Sequence, residues 1–165
     1  MSLNSSEPNY DPPPGSYTAL ALARFADACD TLQLALRLAD RAAACPSPAS
    51  ADVRSDALLE LSRALRYQGR LGEAVAAATA AAESRRAQVH PPCAGARLGA
   101  ALHELGVLRL RLHDGPGGEA LLCSALSCKR SDANCPPSEV ASTLHALAVA
   151  AMHARPPRLD VLRGC

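Results

Sequence analysis

The chain has 165 residues, 48% of them apolar but only 2% aromatic, and a formal net charge of +1. A near-neutral chain with no polybasic run excludes nucleic-acid binding by bulk electrostatics, and no stretch approaches the roughly 18 uncharged apolar residues of a membrane span. With Leu, Ala and Val as its core residues and few β-branched side chains, the chain is expected to be mostly helical.

Residues 1–16 read as a disordered Pro/Ser-rich leader, in which Pro12-Pro13-Pro14 block helix. The leader has neither a positive n-region nor an apolar h-region, so it does not read as a secretory signal. That makes the Asn4-Ser5-Ser6 sequon a chance match, and the chain is expected to be soluble and cytoplasmic. Its seven Cys are odd in number and irregularly spaced. In a reducing compartment they read as free thiols, several of them small core fillers.

Helices are predicted over 17–28, 31–44, 51–67, 71–87, 94–112, 117–130 and 138–154, with an eighth starting near Arg158. Long Pro-marked breaks fall at Cys45-Pro46-Ser47-Pro48, His90-Pro91-Pro92-Cys93 and Cys135-Pro136-Pro137. Short turns carry Asp30, Gly69, Asp114-Gly115 and Pro156-Pro157. Asp52, Ser131 and Ser138 stand where cap or turn residues are expected.

The regular alternation of short turn and long loop invites a repeat test. A triplet of apolar, apolar and small residues recurs at Ala19/Leu22/Ala23, Leu58/Leu61/Ser62, Leu102/Leu105/Gly106 and Leu144/Leu147/Ala148, spaced by 39, 44 and 42 residues. Twelve residues after each small member comes Ala35, Ala74, Gly118 and, in the last copy, Asp160, which breaks the pattern. Seven further on stand Ala42, Ala81 and Ala125. Small residues at matching places on two helices mean that the helices cross closely there. On this reading Gly69 is an inter-helix turn and the alanines after Glu73 are a close-packing face.

The pattern resembles the tetratricopeptide repeat, and its longer period is similar to the kinesin light chain and nephrocystin-3 branch. "PPSEVASTLHALA" (Pro136–Ala148), "LRYQGRLGEA" (Leu65–Ala74) and "HPPCA" (His90–Ala94) carry the resemblance, from about Tyr17 onward. It implies an all-α, right-handed α-solenoid of antiparallel hairpins. Its three full repeats would span about 17–48, 51–92 and 94–136, with an incomplete fourth over 138–165. The chain departs from the family where large aromatic residues are usual: Ala26, Leu65, Arg109, Ala151, Ala39, Ala78 and Leu122 stand there. Less apolar area is then buried per repeat, and a thin array of marginal stability is expected.

Catalytic patterns are lacking. His90, Cys93 and Cys135 could supply soft metal ligands, but they fall in equivalent loops of successive repeats, too far apart for one ion. Cys123 and Cys128 point different ways on one helix, and "GPGGEA" (Gly115–Ala120) lacks the Lys of a phosphate loop. No enzyme activity, metal or cofactor is expected.

The resemblance further implies a concave groove lined by the first helix of each repeat. The groove positions are Tyr17, Leu20, Arg24, Asp27 and Ala28; Asp56, Leu59, Arg63, Arg66 and Tyr67; Ala100, His103, Val107, Leu110 and Arg111; and Ser142, His145, Val149, Met152 and His153. Of these, Arg24, Arg63, Arg66, Tyr67, His103, Arg111, His145 and His153 are the expected contacts for a partner peptide, acidic or ending in a carboxylate. Titration of His103, His145 and His153 would tighten binding below about pH 6.5, but the favoured reading of them is surface or partly buried neutral His. The alternative is a homo-oligomerisation or regulatory segment of a larger protein, self-associating through an open C-terminal repeat that exposes Leu147, Val149 and Leu162.

Overall fold

The computed structural model describes residues 16–42, 48–87 and 94–153. They form six α-helices: α1 (Ser16–Ala42), α2 (Pro48–Tyr67), α3 (Leu71–Ala87), α4 (Ala94–Arg111), α5 (Gly115–Ser131) and α6 (Pro137–His153). No strand occurs among the described residues. Each helix packs on the next in order, and α4 also touches α2 and α6. The predicted leader up to residue 15, the helix near Arg158 and the loops at 43–47 and 88–93 lie outside the described residues.

The first hairpin expected over 17–48 is not formed. α1 runs unbroken for 27 residues through Asp30, because the stretch holds neither Gly nor Pro and one Asp costs little. Thr31 Oγ1 donates to the Asp27 carbonyl at 2.7 Å, inside the helix. Cys29 is buried, and Phe25, Leu32 and Leu36 are half-buried against the same core. Those four residues make one continuous helical stripe. Ala23 and Ala35 therefore share a helix and do not mark a crossing.

The next two hairpins show why the small residues recur. Ser62 Oγ donates to the Ala74 carbonyl at 2.9 Å, bonding α2 directly to the backbone of α3. A Cβ on Gly106 would stand 3.1 Å from the Gly118 carbonyl, and one on Gly118 3.0 Å from the Gly106 carbonyl. The α4 and α5 backbones thus touch at paired glycines. Ala74, Ala77, Ala78, Ala81 and Ala82 bury one face of α3, and Leu122, Ala125 and Leu126 do so for α5.

Polar groups pin the stack between hairpins. Arg85, buried on α3, donates to Ser55 Oγ at 3.2 Å, to the Arg97 carbonyl and to Asp56. Asp132 follows α5 and accepts from the backbone N–H of Ala96 at 3.0 Å, capping α4 from outside. Asp52 is no cap: it lies inside α2, its carboxylate 2.8 Å from Arg97 Nη1. Cys29, Cys128 and Cys135 are free thiols, and burial pushes the Cys29 thiol up from its ordinary pKa. Cys123 is disulfide-bonded, which corrects the expectation of seven free thiols.

Candidate interaction groove

Alternate helices α2, α4 and α6 carry the expected contact residues other than Arg24, which is on α1, and their mutual packing sets them on neighbouring elements. At the α2 end an aromatic stack forms. Tyr67 lies against Phe25 of α1 with ring centroids 4.6 Å apart and planes 9° from parallel. The Arg66 guanidinium sits 4.6 Å from the Tyr67 centroid. Tyr67 keeps half its surface exposed. Phe25, absent from the expected contacts, is what steadies that ring.

Two of the expected arginines are already engaged. Arg66 Nε pairs with Glu104 of α4 at 2.5 Å, with both side chains well buried. Arg63 pairs with Glu60 at 2.5 Å at a more exposed position. Asp56, the acidic member of the same surface, accepts from Arg85 and Arg97. The strong local basicity expected of the groove is therefore largely neutralised at its α2 end. Arg24 is exposed on α1 and makes no ion pair with a described residue. The His153 side chain lies outside the described residues.

Between α4 and α6 lies a buried polar cluster. Lys129 of α5 is the chain's single lysine, its other sixteen cations being Arg. Its side chain is 1% exposed. Nζ donates to Glu139 Oε2 at 2.7 Å, to the Glu139 carbonyl at 3.0 Å and to Thr143 Oγ1 at 3.1 Å. Three divergent acceptors suit a tetrahedral ammonium and not a planar guanidinium. A Cβ on Gly99 would lie 2.6 Å from the Lys129 Cγ, so that glycine leaves room for the lysine stem. The Lys129 hydrogen bond holds the Glu139 carboxyl below its ordinary pKa.

His103 Nδ1 lies 3.2 Å from Thr143 Oγ1, joining α4 to the cluster. Burial, with the Lys129 ammonium adding to it, pushes the His103 pKa down to about 4. His103 thus stays neutral, in line with the favoured reading of a partly buried neutral His, and does not supply the tightening below pH 6.5.

One turn further along both helices the surface opens into a groove of about 320 Å³, lined by Val107, Leu110 and Arg111 of α4 and His145, Ala146 and Val149 of α6. Arg111 and His145 are exposed at its rim, and Arg111 bonds to no described residue. Val107, Leu110, Val149, Arg111 and His145 were all expected on this face. Leu147 was expected to be exposed, but it points away from the groove and is fully buried with Leu122 and Leu126.

The sequence reading missed Lys129, Glu139 and Thr143. The signal it held was compositional: a chain that uses Arg everywhere else keeps one Lys, facing a Gly on the preceding helix. Among the described residues no cluster of His, Cys, Asp or Glu is arranged to hold a metal ion, and no helix is long and apolar enough to cross a membrane. No protein-family model matches the chain, and no curated protein or solved structure matches it either.

Proposed function

We propose that the chain is a non-catalytic, tetratricopeptide-like scaffold that binds a segment of a partner protein along the surface of α2, α4 and α6. The observation that carries this reading is the alternate packing of those three helices, which leaves an open apolar groove between α4 and α6. Two crossings of small residues, Ser62/Ala74 and Gly106/Gly118, each joining positions twelve apart and lying 44 residues from one another, support the repeat. Two and a half hairpins from α2 to α6 would be the repeating part, with α1 as a long helix covering one end.

A photo-crosslinking amino acid placed at Tyr67 or His145 should capture partner peptide, and the same group at exposed Ser127 of α5 should not. Equal capture from Ser127 would remove the groove from the reading. Light scattering should give a monomer near 17.1 kDa. A stable dimer would instead favour the self-association reading, which loses its main apolar residue now that Leu147 is buried.

A further inference from the structure

We infer that the α4/α6 groove takes an extended partner segment bearing one large apolar side chain and a single carboxylate, the first against Val107, Leu110, Ala146 and Val149 and the second on Arg111. This rests on the scaffold reading above and adds the chemistry of the segment.

The room decides the first half. About 320 Å³ is at the low end of ligand pockets, so it fits a side chain and not a packed helix. Four of its six lining residues are apolar and none is acidic. Burying an apolar side chain there releases water from both partners.

Charge decides the second half. Arg111 is exposed and pairs with no described residue. Arg24, also without an ion pair to a described residue, stands on α1, which does not line this groove; Arg63 is engaged by Glu60, Arg66 by Glu104, and Lys129 by Glu139 and Thr143. His103 adds no positive charge at neutral pH, since burial, Lys129, Arg63 and Arg66 all oppose its protonation and only Glu139 favours it. One guanidinium with both edges free matches one carboxylate by paired hydrogen bonds, not a run of acids. Spacing follows from geometry. Val107 and Arg111 lie four residues apart on α4, a rise of about 6 Å. Side chains on one face of an extended chain repeat at about 6.6 Å, every second residue. The segment therefore reads apolar-x-acid.

The test uses synthetic peptides, blocked at both ends, that carry one Leu or Phe and one Glu at spacings from adjacent to three apart, on a Gly/Ser background. Binding is read by fluorescence polarisation and by backbone amide shifts of the full chain. The apolar-x-Glu peptides should bind and shift the amides of Val107, Ala146 and Val149. Arg111→Ala should weaken that binding about tenfold or more, while Arg86→Ala, an exposed change on α3, leaves it unchanged; Arg63→Ala is measured beside them. Arg111→Glu should lose the Glu peptide and recover binding when Lys replaces its Glu. Arg111 is exposed, so these variants should keep their fold. Binding indifferent to Arg111 or to the peptide carboxylate would overturn the inference, as would no binding at millimolar peptide. Binding that follows Arg63 would overturn the segment chemistry and leave the scaffold reading standing. Amide shifts confined to α3 and α5 would overturn both. A dimer that shifts the same groove amides would also overturn it, with a second copy as occupant.

Discussion

Gly69 and His113, 44 residues apart, hold the same place at the C-terminal ends of α2 and α4, and both adopt left-handed backbone, with φ of 77° and 62°. The bonding around them matches too. Arg70 N–H reaches the Leu65 carbonyl at 3.0 Å, and Asp114 N–H reaches the Arg109 carbonyl at 2.9 Å. Gly69 N–H bonds Arg66 and His113 N–H bonds Leu110, both at 3.1 Å. This is the glycine-favouring helix stop, and the second copy carries a residue that pays a steric penalty there. His113→Gly should therefore stabilise the chain by up to about 1 kcal/mol, and Gly69→Ala should destabilise it by about 1 kcal/mol. Urea midpoints of the two variants check both signs.

The same substitution should have opposite effects at Gly72 and Gly106. An added methyl at Gly72 meets nothing within 4 Å, and helix propensity then favours Ala by up to about 1 kcal/mol. At Gly106 it meets the Leu122 Cγ at 2.7 Å and the Gly118 carbonyl at 3.1 Å. Leu122 is fully buried and has little room to yield. Gly106→Ala should cost about 1–3 kcal/mol despite its better propensity. Equal stability changes at the two sites would show that the α4/α5 crossing is looser than described.

Arg66 and Arg63 should separate sharply in stability. Removing Arg66 leaves Glu104, 4% exposed, without its cation, and such loss costs about 3–5 kcal/mol. Arg63 and Glu60 are about one-third and one-half exposed, so Arg63→Ala should change stability by under about 0.5 kcal/mol. Replacing Arg66 and Glu104 together by Met and Leu should recover most of the loss. Thermal melts of the three variants decide it. Arg66 is thus a poor probe of binding, since its loss disturbs the α2–α4 contact itself.

His103 makes folding sensitive to mild acid. Its folded pKa of about 4 lies below the ordinary 6.5, so the unfolded chain binds the proton more readily. Stability is then full above 6.5 and falls as pH drops from 6.5 toward 4. Between pH 7.5 and pH 5 the loss assigned to His103 is about 2 kcal/mol. His103→Gln should flatten that part of the profile in urea titrations. An unchanged slope would mean that His103 is not buried against Lys129 and Thr143.

Much of the fold was legible because local signals agreed. The Pro-marked loops and the small residues at Ser62, Ala74, Gly106 and Gly118 placed α2 to α5 within a few residues. The first hairpin was misread because Asp30 was given the weight of a breaker. The stripe Phe25/Cys29/Leu32/Leu36 runs straight through it and carried the better signal. The α4/α6 face was legible through the resemblance, whose groove positions include Val107, Leu110, Arg111, His145 and Val149. Its charge state was not, because the carboxylates that engage Arg63 and Arg66 become neighbours through different relations: Glu60 one turn away, and Glu104 from another helix. Nor does one sequence show that a lysine is buried.

That lysine has a consequence for the chemistry others can do on this chain. Lys129 is the chain's single side-chain amine, and it is sealed between α5 and α6. Acylating reagents, acetyltransferases and ubiquitin-conjugating enzymes all need a lysine nitrogen with a free lone pair and open access. The folded protein offers them none. Only when α6 lifts from α5 does that nitrogen come within reach, so modification at Lys129 records how often α6 opens.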